Sequence, residues 1–268
     1  MFGVVPKTLW NKVAPADQHN RILLACNLLL IESPDATVLV ETGMGPRWTE
    51  KDRQRYEVKT LIDHSQALAA VGLSNDQVDA VIISHMHFDH MGGAVIERNG
   101  VLSPTFPKAS YYVQSGEYEL ARKVNSRGRA SYRPDDFLPV EQHGQLVKID
   151  GDTEIRPGIW ARVTGGHTSH HQVITFESEG KKGVFFADII PTKGHLTPPW
   201  VMGYDHYPLT SCDVKDEWLS RAAREKWLVV FDHESDVPWG HVEQTAQGKF
   251  EWRPLNADTL RSTVSAQS

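Results

Sequence analysis

The stretch Ser84-His85-Met86-His87-Phe88-Asp89-His90-Met91-Gly92-Gly93 packs three histidines and one aspartate into six consecutive positions. In extended backbone, alternate side chains share a face, so His85 and His87 project together and both imidazoles can reach one ion. Asp89 and His90 stand where the chain turns and can aim at a second point nearby. Gly92 and Gly93 let the backbone turn sharply there. Neutral imidazole with carboxylate suits zinc, iron, manganese or cobalt better than magnesium or calcium. One ion takes about three or four ligands, so more must lie downstream.

Three later positions qualify. His167 follows a glycine pair at the end of the apolar run Ala161 to Thr164 and is favoured over His170 and His171, which read as outer or solvated groups. Asp188 closes the run Val184 to Ala187. A carboxylate there is costly to bury unless paired or metal-bound, and its two oxygens can bridge two ions. His233 ends Leu228 to Phe231 in the same manner. Among the other histidines, His195 and His206 read as surface residues ahead of pocket-lining ones.

These groups need strands that end at one place. Leu28 to Glu32 and Thr37 to Glu41 flank a Ser-Pro-Asp-Ala turn and predict a hairpin. Short apolar runs at Val81 to Ser84, Ser110 to Gln114, Gln145 to Ile149, Ala161 to Thr164, Val173 to Glu177, Gly183 to Ala187 and Leu228 to Phe231 predict further strands. Ile22 to Ile31 reads as buried strand, being far too short for a membrane span. Helices are expected over Thr60 to Val71, Glu117 to Val124 and Asp213 to Glu225, the last capped by Asp213. The interleaving is not a strict βαβα rhythm. Two packed sheets with helices outside fit better than one doubly wound sheet. No linker or repeat divides the chain, so residues 1–268 are expected to form a single domain.

In that order and at strand ends, His85-x-His87-x-Asp89-His90, His167, Asp188 and His233 resemble the metallo-β-lactamase superfamily. The resemblance implies an α/β fold, a four-layer αββα sandwich, with a dinuclear site at the sheet edge. It puts His85, His87 and His167 on one metal and Asp89, His90 and His233 on the other, with Asp188 and a hydroxide bridging both. It implies two divalent ions, zinc first, with manganese, cobalt or iron accepted by the same ligands. Val40-Glu41-Thr42-Gly43 is similar to the family's usual Asp-Thr-Gly turn, with Glu in place of Asp. The chemistry implied is hydrolysis without a protein nucleophile, with Asp89 shuttling a proton to the leaving oxygen.

Within the superfamily the chain looks most like the quorum-quenching lactonase-like group, which opens N-acyl homoserine lactones. Gly3-Val4-Val5-Pro6-Lys7, Leu9-Trp10 and Asn20-Arg21 carry that likeness, with Ser84 to Gly93 and Pro199-Trp200-Val201-Met202-Gly203-Tyr204-Asp205. Phe88, Trp200, Met202 and Tyr204 are candidate walls for a lipophilic acyl chain, with ordinary core packing as the alternative. Some lactonases carry a Tyr three residues after the bridging Asp; here that position is Pro191. An organophosphate triester hydrolase, similar to methyl parathion hydrolase, would want the same pocket. A glyoxalase II-type thioesterase would show a basic patch, and a β-lactamase a signal peptide. A non-hydrolytic metal-binding or redox protein is the reading from another class; the oxygen-reducing branch has Glu where His87 stands.

Composition sets outer bounds. With 268 residues, 40% hydrophobic and 23% charged, the chain is an ordinary globular sequence. A net charge of −6 and no cluster of Lys or Arg argue against nucleic acid as partner. The expected partner is a small lactone or ester. Cys26 and Cys212, with no CxxC spacing, exclude a disulfide scaffold and a sulfur-rich metal site. No apolar leader or membrane span is visible, so a cytoplasmic location is expected. Apolar residues near the N-terminus could form the contact of a homodimer.

Overall fold

The structure is a computed structural model and describes residues 1–256. The described residues form two compact units: residues 28–156, and residues 1–27 together with residues 157–256. A four-residue helix, α1 (Lys7–Trp10), opens the latter.

In the unit of residues 28–156, β1 (Leu29–Ser33) and β2 (Ala36–Val40) form the expected antiparallel hairpin. Helices α2 (Glu50–Tyr56) and α3 (His64–Ala69) follow, each capped by the side chain of the preceding Thr49 or Asp63. Then come β3 (Ala80–Ile82), the short α4 (Phe88–Met91) and the hairpin of β4 (Val95–Arg98) and β5 (Val101–Pro104). The unit continues with β6 (Ser110–Gln114), α5 (Ser115–Arg122), α6 (Leu138–Gln142), β7 (Leu146–Ile149) and β8 (Thr153–Arg156). Strands β1-β2-β3-β6-β7 make one sheet, parallel from β2 to β7. Central strands of such a sheet are covered on both faces and read as unbroken apolar runs, as Ala80-Val81-Ile82 does. Val81, Ile83, Met91, Phe106, Tyr111 and Phe137 fill the core.

The other unit carries β9 (Ile159–Val163), β10 (Gln172–Ser178), β11 (Lys181–Phe185), the long α7 (Pro208–Glu225), β12 (Leu228–Val230), β13 (Trp239–Gln244) and β14 (Phe250–Pro254). Its sheet runs β14-β13-β12-β11-β10-β9 and is antiparallel except where β11 meets β12. Trp218, Leu219 and Ala222 of α7 pack with Val184, Phe186 and Phe231. Both units are mixed α/β, as expected. No helix of the described residues is long and apolar enough to cross a membrane.

Three expectations need correction. Residues 21–28 are not strand: they have no regular structure, and Leu23 is 64% exposed. That segment instead lends backbone groups to a loop described below. The helix expected over Thr60 to Val71 shrinks to α3, because the Asp63 side chain takes the first free N–H groups and starts the helix there. Asp213 lies inside α7, which begins at Pro208, where a missing N–H costs nothing.

The turn after β3 is braced from β2. Thr42 donates from its backbone N–H and its hydroxyl to the His90 carbonyl, at 2.9 and 2.7 Å. Buried His64 donates from Nε2 to the Thr42 carbonyl at 2.9 Å. Gly93 fits between them: a Cβ there would meet the Thr42 carbonyl oxygen at 2.1 Å and His64 Cε1 at 2.6 Å. Gly93→Ala is therefore expected to cost about 1–3 kcal/mol or more in urea unfolding. A loss below ~0.5 kcal/mol would show that this brace is not rigid.

Candidate metal centre

In the unit of residues 28–156, the turn between β3 and α4 gathers its imidazoles. His85 Nε2 and His87 Nδ1 face each other at 3.0 Å. The His85 and His90 ring centroids are 4.0 Å apart. All three histidines are buried, whereas the Asp89 side chain keeps 25% of its surface exposed. Glu41 stands at the end of β2 with φ of 64°, a left-handed backbone that costs a non-glycine residue. That turn sends its carboxylate to accept the Ser84 N–H at 2.9 Å. Glu41 thus fills the place where the superfamily's Asp was expected and holds the ligand turn by its backbone.

A second brace was invisible in the sequence. Buried Glu117, on α5, accepts the Met86 N–H at 3.1 Å and the Tyr132 hydroxyl at 2.8 Å. The Tyr132 ring meets the His87 ring edge-on at 4.7 Å. Burial, with the Glu117 carboxylate beside it, pushes the Tyr132 phenol far above its usual range. Tyr132 stays a neutral donor, and the backbone between His85 and His87 stays fixed. Neither residue sits in a motif, so only the fold could reveal them.

In the other unit, His167 follows β9 after Gly165 and Gly166, both with positive φ. Its Nδ1 lies 3.0 Å from Asp205 and its Nε2 3.1 Å from Asp188. Asp188 follows β11 in a one-turn helix that opens on Ala187, with φ of 47°. His233 follows β12; its Nδ1 lies 2.6 Å from the Ala25 carbonyl and its Nε2 2.9 Å from Asp188. Ala25 and Asn27 accompany this loop: the Ala25 N–H donates to the His233 carbonyl and the Asn27 N–H to the Asp232 carbonyl. That is what the apolar segment before β1 does instead of forming a strand.

Both rings are caught between acceptors. A carbonyl or carboxylate cannot donate, so the Nδ1 of each ring must carry a proton, and each Nε2 needs a proton or a cation between it and Asp188. Burial alone would lower the basicity of His233, but the Asp232 and Asp188 carboxylates more than offset it and hold its pKa well above the usual histidine value. A divalent cation at the Nε2 atoms would satisfy the same demand, with the Nδ1 partners fixing tautomer and orientation. The donor set of buried imidazole and carboxylate fits such an ion. In the sequence Asp205 only ends the aromatic and apolar stretch from Pro199; the structure makes it the outer support of His167. His171 is buried, with Nδ1 2.8 Å from the Thr164 hydroxyl, and His170 is partly exposed.

A profile of the metallo-β-lactamase superfamily matches residues 21–234. The chain belongs to the metallo-β-lactamase superfamily. This superfamily member is 31% identical over 170 residues to an N-acyl homoserine lactonase of Bacillus thuringiensis, a match covering 56% of the chain. The chain spans 57% of the length of that curated relative. A probable metal-dependent hydrolase of Staphylococcus aureus has a similar structure, with a TM-score of 0.86 and 29% identity, covering 96% of this chain and 92% of that one. AidC, a dizinc quorum-quenching lactonase, shares the fold at a TM-score of 0.73 and 22% identity, covering 87% of this chain and 80% of that one. The metallo-β-lactamase fold expected from the sequence is thus the fold found.

The candidate substrate residues of this superfamily member fall in two places. Phe88 meets Trp48 edge-on and Tyr56 at a tilt, at centroid distances of 5.5 Å each, and the Arg133 guanidinium lies over Phe88 and Trp48. Trp200, Met202 and Tyr204 share one loop: Met202 is buried, Tyr204 is 60% exposed and Trp200 lies edge-on to Phe2 at 5.8 Å. Buried Lys215 pins this loop by donating to the carbonyls of Thr197 and Trp200 at 3.2 and 2.6 Å. Burial lowers its pKa to about 7, against the pull of Asp205.

His195, expected at the surface, is buried and stacked on Phe2 at 4.4 Å. Its Nε2 donates to the Met1 carbonyl and its Nδ1 accepts from Thr192. Burial, helped by the Lys215 charge, lowers its pKa to about 3. The unfolded chain therefore binds a proton here below about pH 6.5 that the folded chain refuses, and stability falls as pH drops from about 6.5 toward 3. His195→Gln is expected to flatten this acid slope by a few tenths to a few kcal/mol in urea melts between pH 7 and 4.5. A slope identical to that of the unaltered protein would place the charge change elsewhere.

Proposed function

We propose that the chain is a dinuclear metal-dependent hydrolase that opens N-acyl homoserine lactones, with its two units working as one domain. His85, His87 and His167 would hold one divalent ion and Asp89, His90 and His233 the other, with Asp188 serving both. Zinc is the first choice of ion. The observation that carries this reading is the pair of buried imidazoles, His167 and His233, each with its outer nitrogen fixed and its Nε2 turned to the same Asp188 carboxylate. Superfamily membership and the lactonase named among the relatives support it.

Two divalent ions, when bound, bring a water close to ionisation at neutral pH and polarise the substrate carbonyl. The chain's own groups do the rest. Asp89 keeps an exposed edge and suits the transfer of a proton to the leaving oxygen. Glu117 and Tyr132 hold the His85–His87 turn still, and Asp205 and the Ala25 carbonyl hold the rings of His167 and His233. The Trp48, Tyr56 and Phe88 group offers a partly exposed aromatic wall next to Asp89, a surface suited to a lipophilic acyl chain.

Asp188→Ala is expected to abolish metal retention and to lower turnover by at least ~100-fold. Metal content and rate measured on the same sample check this, and unchanged turnover would remove Asp188 from its bridging role. On metal-reconstituted protein, a mid-to-long N-acyl homoserine lactone followed by pH drop should be opened faster than paraoxon followed by chromophore release. The reverse order would make the protein a phosphotriesterase, and no turnover of any ester, lactone or phosphotriester would favour a non-hydrolytic metal-binding protein.

A further inference from the structure

Asp232 stands directly before His233 in the loop after β12, and no role falls to it in the ligand assignment above. Ligand atoms of Asp188, Asp232 and His233 all lie within 4.8 Å of one another, and all three residues are buried. Asp232 is only 1% exposed. Its Oδ2 lies 3.7 Å from His233 Nε2, the same nitrogen that Asp188 Oδ1 approaches at 2.9 Å. The opposite nitrogen, Nδ1, is already committed to the Ala25 carbonyl at 2.6 Å. Asp232 is therefore not the outer support of the ring. It lies on the Nε2 side of the ring, the side that Asp188 also faces.

We propose that Asp232 is a direct ligand of the ion held by His233 and Asp188, so that this ion takes two carboxylates from one unit. The inference rests on the dinuclear reading and extends its ligand set. Three observations bear on it. Two carboxylates this close and this buried need positive charge among them, which a proton on His233 supplies in part and an ion ligated by both would supply in full. The backbone presenting Asp232 is pinned on both sides: Asn27 donates from its N–H to the Asp232 carbonyl at 2.8 Å, and from Nδ2 to the carbonyls of Phe231 and Glu234 at 3.2 and 2.8 Å. The His233 N–H in turn donates to the Pro191 carbonyl at 3.0 Å. With both neighbouring peptides tied down, the direction in which Asp232 leaves the backbone is fixed.

The consequence is an asymmetric pair of ions. An extra anionic oxygen binds the cation at His233 more tightly than imidazole alone would. It also shifts the preference of that position toward oxygen-seeking ions such as manganese or iron.

The test compares the full chain with Asp232→Asn, which keeps size and shape. Both are loaded with zinc and dialysed against graded concentrations of a chelator, and metal per chain is counted by plasma mass spectrometry. The unaltered chain should hold about two ions, and Asp232→Asn should bind one of them at least ~10-fold more weakly. Two ions held by the variant with unchanged affinity overturn the inference and leave the dinuclear reading intact. An unaltered chain that never holds more than one ion overturns both. A measurement on the unaltered chain alone guards against a variant that does not fold. Cobalt loaded at this position should give the weak visible absorption of an ion with more than four ligands. Strong tetrahedral bands from both ions would contradict a direct Asp232 ligand.

Discussion

An imidazole has two ring nitrogens and, when neutral, one proton to place between them. His167 and His233 both have an acceptor at each nitrogen: Asp205 and Asp188 for the first, the Ala25 carbonyl and Asp188 for the second. Two buried rings set this way need positive charge on their inner side, from a proton or from a metal. That demand explains much else about the surrounding chain. Asp188 accepts from both rings, Asp205 and the Ala25 carbonyl fix which nitrogen is turned inward, and the segment before β1 gives up regular structure to bond with the loop that carries His233.

The same economy governs the turn that carries His85, His87 and His90. Its groups are held by backbone bonds from residues that hold no ligand position themselves. Glu41 grips the Ser84 N–H, Glu117 the Met86 N–H, and Thr42 the His90 carbonyl. Left-handed backbone at Glu41 and Ala187 shows where the fold accepts strain to aim a side chain. Rigid strand ends thus supply position, and a buried ring of hydrogen bonds supplies orientation. Such support narrows the freedom of each side chain, and in a metal site it would add affinity without extra ligands.

Much of this was legible in the sequence because ligand chemistry uses few residue types at short spacing. His85, His87, Asp89 and His90 announce themselves, and His167, Asp188 and His233 each end an apolar run. The hairpin of β1 and β2 and the strand at Ser110 to Gln114 follow from turn residues and periodicity. Other features were hidden for definite reasons. Glu117 and Tyr132 act through contacts between positions distant in sequence, and nothing local marks them. His195 looked like a surface residue because a lone histidine carries no pattern, yet Phe2 and the Met1 carbonyl bury it. Residues 21–28 looked like strand because hydrophobicity alone does not distinguish a ladder partner from a segment that wraps a loop. Asp232 carries no mark of its own in the sequence, because a carboxylate beside a histidine at the end of an apolar run can equally be a support or a ligand.

The proposed reading requires a pair of cations gathered by these side chains. Anomalous diffraction at the metal absorption edge, on crystals of the metal-loaded protein, would test it most directly. Two peaks are predicted, one among His85, His87 and His167 and one among Asp89, His90 and His233, with the Asp188 carboxylate touching both. A single peak, or peaks that avoid His167 and His233, would contradict it.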